Sequence, residues 1–316
     1  MHILFVADPL ESFKIYKDTT FVMMRELQRR GHTIAACEPA DLAWVTGGVV
    51  NASVRDITLT GEPQRWFRST GPADRQMRAL KDFGAVVMRK DPPFDSEYFY
   101  ATHLLEQAER EGARVFNKPR ALRDHPEKLA IMEFAQFTGP TLVSRNAADI
   151  QRFHAQHHDI ILKPLDGMGG TGIFRVRDDG MNLGAITETL NRNGTQSVMV
   201  QKFLPEIAQG DKRVLVIGGK PVPFCLARIP QGGEVRGNLA VGGKGVAQPL
   251  SKRDREIAEA LGPILAGRGL LLVGIDVIGD WVTEINVTSP TCFQEIKDQS
   301  GFDVAAMFVD ALEAAL

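Results

Sequence analysis

One segment of this chain joins a lysine to a loop that is rich in glycine. Lys163 ends the apolar run Ile160–Lys163, and Gly167, Gly169 and Gly170 follow it closely. The backbone N–H groups of such a loop can surround an anion, and the lysine ammonium adds a concentrated positive charge. These residue types in this order predict a site that grips a polyphosphate.

The same loop matches the spacing G-x-G-x-x-G through Gly167, Gly169 and Gly172, a pattern of dinucleotide-binding folds. That fold requires a helix directly after the glycines, so that the helix N-terminus faces the pyrophosphate. Here the β-branched and aromatic residues Ile173–Val176 follow, and they favour a strand. We therefore interpret the loop as a flap between two strands that covers a nucleotide. An ordinary glycine-rich hairpin is the alternative.

A second segment places oxygen-bearing side chains within two apolar strands. Asp276 lies in the predicted strand Leu271–Ile278, and Glu284 and Asn286 lie in the predicted strand Trp281–Val287. The strand period of two points Glu284 and Asn286 to one face. Carboxylate and amide oxygens are hard ligands, suited to Mg²⁺ or Mn²⁺ that also binds phosphate oxygens. The segment therefore predicts a metal site.

The turn of this hairpin decides whether the three side chains meet. A two-residue turn, Gly279–Asp280, would pair Asp276 with Thr283 and direct Glu284 to the other face. The metal hypothesis therefore requires a turn of three or five residues, such as Gly279–Trp281, and a two-residue turn would contradict it. A polar surface on an antiparallel hairpin is the alternative interpretation.

Three arginines lie at the ends of predicted strands. Arg213 closely follows Asp211, Arg228 comes near the end of a later strand, and Arg89 directly follows a strand of the first unit. Loops beyond the carboxyl ends of parallel strands are where such sheets bind ligands. The planar guanidinium suits carboxylates, so the group predicts a substrate with several carboxylates. A single arginine of this kind is more often a solvated surface residue.

Residues 230–245 hold six glycines in sixteen positions, together with Arg236 and Lys244. That share is several times the average for glycine, about 7%. A long loop of this composition is either disordered or a mobile lid over an active site. We interpret it as a lid, because a lid would shield reactive chemistry from water.

The composition is that of an ordinary globular protein. Of 316 residues, 44% are hydrophobic and 24% are charged, and the formal net charge is −2. This charge gives no general attraction to nucleic acid or membranes, so we expect neither as a partner. No apolar run approaches the roughly 18 residues of a membrane span, and the first strand is too short for a signal peptide. Three separated cysteines indicate reduced thiols and a cytoplasmic location.

Alternating strands and helices in the first third of the chain predict an α/β unit with a largely parallel sheet. Prolines and charges then break the pattern, which predicts an N-terminal domain over residues 1–124. Within it, residues 41–75 are interpreted as turns or a short hairpin. A helix over Glu127–Phe137 opens an α+β domain over residues 125–316. The other predicted elements of the first third are the strands Ile3–Ala7, Ile34–Cys37, Ala85–Met88 and Arg114–Phe116 and the helices Thr19–Arg30 and Glu97–Arg110.

The chain resembles the prokaryotic glutathione synthetases of the ATP-grasp superfamily over essentially its whole length. The glycine loop and the carboxylate hairpin alone indicate only the superfamily. The arginine segments and the run Glu-Ile-Asn-Val-Thr-Ser-Pro-Thr narrow the resemblance to the glutathione enzymes. The matching segments are Met88–Asp95, Ile160–Gly170, Gly210–Val216, Cys225–Glu234, Arg236–Ala240 and Thr283–Cys292.

The resemblance implies a pre-ATP-grasp α/β domain followed by an ATP-grasp fold, with an ATP-binding subdomain over residues 125–203 and a C-terminal subdomain over residues 204–316. It implies a ligase that joins γ-glutamylcysteine to glycine while ATP becomes ADP and phosphate. The cysteinyl carboxylate would attack the γ-phosphoryl group, and glycine would then displace phosphate from the acyl phosphate. A homo-oligomer, most often a tetramer, is also implied.

The resemblance further implies roles for individual residues. Arg213 and Arg228 would hold the dipeptide and stabilise the phosphoryl-acceptor oxygens, and Asp276, Glu284 and Asn286 would hold two Mg²⁺. The ATP-binding residues would be Lys128, Lys163, Gly167, Gly169, Gly170, Gln201, Lys202, Phe203, Leu204 and Asp211. The substrate-binding residues would be Arg89, Arg213, Arg228, Arg236, Ser289 and Thr291.

Two other functions are consistent with parts of the pattern. One is a different ATP-dependent carboxylate–amine ligase on the same fold, which would not need the segment Arg89–Asp95. The other is a regulatory protein that binds ATP without chemistry. Such a protein could lose the metal ligands, whereas Asp276, Glu284 and Asn286 are all present.

Overall fold

The computed structural model describes residues 1–71 and 74–316. Its first unit is an eight-stranded sheet with the strand order β3-β4-β2-β1-β7-β8, and β5 and β6 also pair with β4. Strands β1, β2, β7 and β8 are parallel, as predicted, and β4 adds an antiparallel part. The elements are β1 His2–Val6, α1 Thr19–Arg29, β2 Thr33–Cys37, β3 Leu42–Ala43, β4 Asn51–Leu59, β5 Phe67–Ser69, β6 Gln76–Ala79, β7 Ala85–Met88, α2 Ser96–Arg110, β8 Val115–Phe116 and α3 Pro119–Asp124.

The interpretation of residues 41–75 as turns or a short hairpin is wrong. Strand β4 spans nine residues there and pairs with four other strands. Its buried residues Ala52 and Val54, then Ile57 and Leu59, alternate with more exposed neighbours, and the break at Asp56 hides the period of two. Residues 72 and 73, the end of the same stretch, lie outside the described residues.

The second sheet is antiparallel, with the order β11-β10-β12-β9. One of its faces packs on helices through a small core that includes Ile160, Leu162 and Val200. The alternate residues of the same strands point to the opposite face, which is turned towards the third sheet. The elements are β9 Thr141–Ser144, α4 Ala147–His157, β10 Ile160–Pro164, β11 Phe174–Val176, α5 Leu183–Leu190 and β12 Val198–Lys202.

The third sheet is antiparallel, with the order β15-β14-β13-β16-β17, and helices pack beside it. Sequence analysis did not predict the edge strand β15 or the helix α7. The elements are β13 Asp211–Ile217, β14 Lys220–Ile229, β15 Lys244–Pro249, α6 Lys252–Gly267, β16 Leu272–Ile278, β17 Trp281–Asn286, α7 Phe293–Ser300 and α8 Val304–Ala314.

The prediction of an α-helix over Glu127–Phe137 is wrong, because the segment forms 3₁₀ turns. Tight 3₁₀ turns cover Leu129–Phe137 and are interrupted at Phe134, whose φ of −122° and ψ of 45° are not helical. The segment has no side-chain N-cap, and only some of its apolar residues are buried. Tertiary contacts therefore decide its shape more than helix propensity does.

A buried asparagine joins the first unit to the third sheet. Asn117 Nδ2 donates to the carbonyls of Leu272 and Val287, each at 2.8 Å, and its Oδ1 accepts from the Leu272 N–H at 3.0 Å. These bonds connect the end of the parallel sheet to the two strands of the predicted metal hairpin. Among the helices of the described residues, none has the length and apolar character that crossing a membrane requires.

Candidate active site

A cavity of about 320 Å³ opens between the second and third sheets. It gathers residues that lie far apart in the sequence, because many separate segments contribute to its wall, among them the glycine loop, the metal hairpin and residues 235–240. Of the predicted site residues, the cavity is lined by Lys128, Lys163, Gly167, Gly169, Gly170, Gln201, Lys202, Phe203, Leu204, Asp211, Arg213, Arg228, Arg236, Asp276, Glu284, Asn286, Ser289 and Thr291.

The hairpin β16–β17 contains a two-residue turn, so the predicted turn of odd length is wrong. Ile278 pairs with Trp281 across Gly279–Asp280. Asp276 nevertheless pairs with Glu284, because the register shifts by one residue beyond the turn. Two residues of β17 face one residue of β16 at that point, which is a β-bulge. The bulge brings the two carboxylates to the same face, and the metal hypothesis keeps its geometric basis.

The donor set of this hairpin fits a hard divalent cation. Asn286 pairs with Gly274 and donates from Nδ2 to its carbonyl at 3.1 Å, which orients the amide oxygen away from that carbonyl. Within residues 1–71 and 74–316, no group of three or more His, Cys, Asp or Glu side chains forms a metal cluster. Asp276, Glu284 and Asn286 supply two carboxylates and one amide. That is the partial set expected when phosphate oxygens complete the coordination of Mg²⁺.

Two buried arginines stand beside this hairpin. Arg213 Nε and Nη2 donate to the two carboxylate oxygens of Asp276 at 2.6 and 3.2 Å. Arg228 Nη2 lies 2.9 Å from Asp276 Oδ2 and donates to Asp211 Oδ2 at 2.5 Å. Within the described residues, Nη1 of each arginine has no hydrogen-bond partner, and both arginines line the cavity. Each guanidinium therefore keeps donors for an anionic ligand.

The two carboxylates of this cluster have opposite pKa shifts. Burial raises the pKa of Asp211 to about 6, against the opposing charge of Arg228. Burial would also raise the pKa of Asp276, but the charges of Arg213 and Arg228 outweigh it and lower that pKa well below its ordinary value. Asp211 Oδ1 is buried and has no hydrogen-bond partner in the described residues. An unpaired buried oxygen of this kind points to a role in ligand binding.

Two lysines lie between the glycine loop and the metal hairpin. Lys128 Nζ donates to the carbonyl of Gly167 at 2.5 Å and to Glu284 Oε1 at 3.2 Å. Lys163 Nζ donates to the carbonyl of Thr283 at 3.3 Å. Burial lowers the pKa of the Lys163 ammonium, and the nearby charge of Glu284 opposes that shift. The two ammonium groups are directed at the same corner of the cavity, where a polyphosphate would gain most from them.

The glycine-rich segment 230–245 lies against the glycine loop. Arg236 Nη1 donates to the carbonyl of Gly170 at 3.2 Å. A β-carbon on Gly170 would come within 2.9 Å of Asn238 Oδ1, and its φ of +86° also favours glycine. The last two residues of the predicted lid, Lys244 and Gly245, already belong to strand β15.

The end of β12 offers two free backbone groups to the cavity. The Lys202 N–H donates to the carbonyl of Pro140 at 3.0 Å. Proline has no N–H, so Pro140 cannot return a hydrogen bond to the Lys202 carbonyl. Two residues later, the Leu204 N–H has no partner within the described residues. A free acceptor and a free donor at this spacing match the amino group and ring nitrogen of adenine. The Gln201 side chain bonds Thr141 Oγ1 at 3.1 Å instead.

Arg89 does not line the cavity, unlike the other predicted site residues. Its buried side chain donates to Thr20 Oγ1 and to the carbonyl of Pro290, each at 3.1 Å. Ser289 Oγ in turn donates to the Arg89 carbonyl at 3.3 Å. Arg89 therefore holds the loop that carries Ser289 and Thr291 from behind, rather than facing a ligand in this conformation.

A half-buried carboxylate on the cavity wall, Glu127, was not predicted from the sequence. Glu127 Oε1 accepts from the N–H groups of Val287 and Thr288, at 2.9 and 3.0 Å, and from Thr288 Oγ1 at 2.8 Å. Burial raises its pKa, and the negative charge of Glu284 adds to that effect. The sequence signal was weak, because an acidic residue before a lysine is usually exposed.

Comparisons with known proteins identify the family. A family model described as the ATP-grasp domain of prokaryotic glutathione synthetase matches residues 127–301, and a model of its N-terminal domain matches residues 1–123. The chain belongs to the prokaryotic glutathione synthetase family. It is 60% identical to a glutathione synthetase of Ralstonia nicotianae, over 100% of this chain and 96% of the relative. It is 57% identical to that of Bordetella parapertussis, over 100% and 99% of the two chains.

Solved structures agree on the fold. A D-cycloserine synthetase covers 99% of this chain and is itself covered in full, with a TM-score of 0.69 and 18% identity. An ATP-grasp ligase from Chryseobacterium gregarium covers 100% of the chain, with a TM-score of 0.67 and 15% identity. The predicted fold class is confirmed, and so is the predicted enzyme class: an ATP-dependent ligase of the glutathione synthetase family. Members of this family use ATP and a divalent metal ion.

Proposed function

We propose that the cavity joins γ-glutamylcysteine to glycine through an acyl phosphate, with the residue roles given below. The observation that carries the proposal is the gathering of three kinds of group in one cavity. Two lysines and a glycine loop suit a triphosphate, two arginines with free donors suit carboxylates, and a paired set of carboxylates suits a metal ion.

ATP lies in our proposal between the second and third sheets. Its base meets the Lys202 carbonyl and the Leu204 N–H, beside Gln201 and Phe203. Lys128 and Lys163 hold the phosphates, and the loop at Gly167, Gly169 and Gly170 covers them. Asp211 lines the same cavity, and in our proposal a donor of the bound nucleotide completes the hydrogen bonding of its buried carboxylate.

The dipeptide lies beside the two arginines. Arg213 and Arg228 hold its cysteinyl carboxylate with their free Nη1 groups, and they keep it in line with the γ-phosphoryl group. Arg236, Ser289 and Thr291 complete the substrate pocket, and Arg89 contributes by supporting the Ser289 loop. Because phosphoryl transfer needs charge stabilisation more than covalent help, guanidinium groups at this point act directly on the transition state.

The metal site in our proposal holds two Mg²⁺ ions, and Mn²⁺ is a chemically similar substitute. Its ligands are Asp276, Glu284 and Asn286. The bound metal neutralises negative charge on the phosphate oxygens. The chain itself keeps these ligands aligned: the bulge in β17 sets Glu284 opposite Asp276, and Lys128 fixes the Glu284 carboxylate.

The reaction proceeds in two steps. A carboxylate oxygen of the dipeptide bonds to the γ-phosphorus, and the bond between that phosphorus and ADP breaks. The glycine amine then bonds to the acyl carbon, and the electron pair of the carbon–oxygen bond leaves with phosphate. The protons of the glycine ammonium pass to phosphate and solvent. The lid at residues 230–243 excludes water from the acyl phosphate between the steps.

The test is ADP release from the purified chain with ATP, Mg²⁺ and γ-glutamylcysteine, with and without glycine. We expect steady release only when both amino-acid substrates are present, together with a thiol tripeptide in a one-to-one ratio with ADP. Replacing γ-glutamylcysteine by D-alanine or glutamate is the matched control for other ligases of the fold. Release with those acceptors, but not with the dipeptide, would contradict the proposal.

Assembly and location are part of the same proposal. We propose a homotetramer in the cytoplasm, with no nucleic acid or membrane as partner. Light scattering of the purified chain measures the assembly directly, and a monomer at micromolar concentration would contradict it. The division into domains at residues 1–124 and 125–316 likewise remains a prediction.

A further inference from the structure

Three residues at the base end of the cavity hold one another. Arg175 donates from Nε to Asp159 Oδ1 at 2.9 Å and from Nη2 to Oδ2 at 2.6 Å. Its guanidinium carbon lies 3.5 Å from the centroid of the Phe203 ring. The backbone carbonyl of Asp159 accepts a hydrogen bond of 2.8 Å from the Phe203 N–H. Asp159 therefore fixes the Phe203 backbone directly. It also fixes the Phe203 ring indirectly, because it holds the Arg175 guanidinium that lies over the ring.

Of these three residues, only Phe203 lines the cavity. Phe203 lines the wall, next to the free backbone groups of Lys202 and Leu204, while Asp159 and Arg175 lie behind it. Arg175 pairs with Ile161 across the second sheet, and Ile161 also lines the cavity. Paired residues share a face, so Arg175 points to the cavity side of the sheet. Because its guanidinium covers one face of the ring, the ring meets the cavity with its other face or its edge.

The pair of Asp159 and Arg175 adds little to folding by itself. The two side chains are 32% and 24% exposed, and ion pairs at such exposure contribute little to stability. Its effect on the ring is more specific. A planar cation stacked on an aromatic face is attracted by the π electrons, and it restricts the ring to one orientation. Aromatic rings fixed in this way are the surfaces on which nucleobases stack.

We propose that Arg175 is a positioning residue for the nucleotide: held by Asp159, it fixes Phe203 as a wall of the base subsite without touching the ligand. The inference rests on the proposed function in one respect, namely that the base of ATP lies beside Lys202 and Leu204. It adds that the strength of ATP binding depends on two residues outside the cavity.

The test compares Arg175→Gln with Arg152→Gln, which removes an exposed arginine that pairs with Asp149 on α4, in the same part of the chain. We expect Arg175→Gln to raise the KM for ATP about five- to tenfold, the range of a single cation–aromatic contact. Its kcat and its KM for γ-glutamylcysteine and glycine should stay within twofold of the parent. Arg152→Gln should leave all four values unchanged.

Three further variants separate the contact from a general structural effect. Arg175→Lys keeps the charge but not the planar group, and we expect a KM for ATP between those of the parent and Arg175→Gln. Phe203→Leu removes the ring and should raise the KM for ATP at least as much. Because both changes remove the same contact, the double variant Arg175→Gln with Phe203→Leu should be little worse than Phe203→Leu alone.

The outcomes distinguish this inference from the proposed function. If Phe203→Leu weakens ATP binding and Arg175→Gln does not, the positioning role is wrong while the base subsite stands. If neither variant changes the KM for ATP, the base lies elsewhere, and both the positioning role of Arg175 and the proposed base subsite are wrong. If Arg175→Gln raises the KM of all three substrates and lowers the melting temperature, the residue is merely structural, which also overturns the inference.

Discussion

Two clusters of arginines and carboxylates in this molecule differ in how completely their charges are paired. The first lies at the seam between α1 and α8, where Arg30 joins the N-terminal unit to the C-terminal helix. Arg30 donates to Glu26 and Asp310 at 2.7 Å and to Glu313 at 2.8 Å, and Nη2 donates to the carbonyl of Ala306 at 3.0 Å. Its guanidinium is directed entirely at groups of the protein, and Asp310 is 68% exposed to solvent.

The second cluster, in the cavity, is more deeply buried and less completely paired. Arg228 and Asp276 are 5% and 6% exposed. Among residues 1–71 and 74–316, both cavity arginines keep a free Nη1 group, and Asp211 keeps an unpaired oxygen. Burying a charge without full pairing costs stability, so the fold does not gain from this arrangement. The cluster at the seam stabilises the folded chain, whereas the cluster in the cavity needs a ligand to complete its pairing.

The largest effect is expected at Glu284 in the cavity. Glu284→Gln removes one charged metal ligand with little change of volume, and we expect kcat to fall at least about a thousandfold, because charge stabilisation dominates phosphoryl transfer. Circular dichroism and the melting temperature should stay close to those of the parent. Glu313→Gln, the matched change at the seam, should keep kcat within twofold. Near-normal turnover of Glu284→Gln would show that the metal assignment is wrong.

An intermediate effect is expected from Arg228→Lys. Lysine keeps the charge but cannot bond Asp211, Asp276 and a substrate carboxylate together, because it lacks the planar fork. We expect kcat/KM for γ-glutamylcysteine to fall about a hundredfold, the cost of about 2.7 kcal/mol of lost transition-state binding, with KM for ATP little changed. Steady-state kinetics with each substrate varied in turn measures this split. Arg30→Lys at the seam is the control. Equal losses of kcat/KM in both variants would contradict the proposed difference between the two clusters.

The smallest effect concerns stability and pH at the seam. The hydrogen bond from Arg29 lowers the pKa of Glu26 to about 2 in the folded protein, from an ordinary value of 4.5. The carboxylate therefore stabilises the fold fully above pH 4.5, and this contribution is lost as pH falls towards 2. Glu26→Gln should melt about 2–4 °C lower than the parent at pH 7, and the gap should narrow below pH 4.5.

Thermal melts of Glu26→Gln and the parent between pH 7 and pH 3.5 check this, with turnover at pH 7 measured alongside. Turnover should be unchanged, because Glu26 lies at the seam and not on the cavity wall. A gap that widened as the pH fell would contradict the assigned direction of the pKa shift.

Much of the fold could be predicted from local patterns. The predicted strand Ala85–Met88 is marked by continuous apolar character. The predicted helix Thr19–Arg30 is marked by amphipathic spacing and by the glycine that follows it, and the structure has a helix over Thr19–Arg29. Most cavity residues were also predicted from sequence. Residue patterns indicated Lys163 with the glycine loop, the arginines and the metal hairpin, and the family resemblance added Lys128 and the segment Gln201–Leu204. Local patterns of this kind predict the structure correctly, because tertiary packing favours the same secondary structure.

The rest depends on contacts that no local pattern reveals. The alternation of β4 is broken at Asp56, and its identity as a central strand comes from four partners that lie elsewhere in the chain. The bulge in β17 inserts one residue into a hairpin whose turn is otherwise regular. Asp276 therefore pairs with Glu284 as predicted, although the turn has two residues and not an odd number. Glu127 matters because of backbone N–H groups about 160 residues away.

The proline opposite Lys202 has a consequence for how this protein can change. Any other residue at position 140 would supply an N–H and complete one more rung of the sheet. That hydrogen bond would be made to the carbonyl that we assign to the nucleobase, so the scaffold and the ligand would have to share one oxygen. A substitution of Pro140 that restores this hydrogen bond would therefore compete with ATP for the Lys202 carbonyl. Screens for thermal stability alone would therefore tend to select against activity at this position.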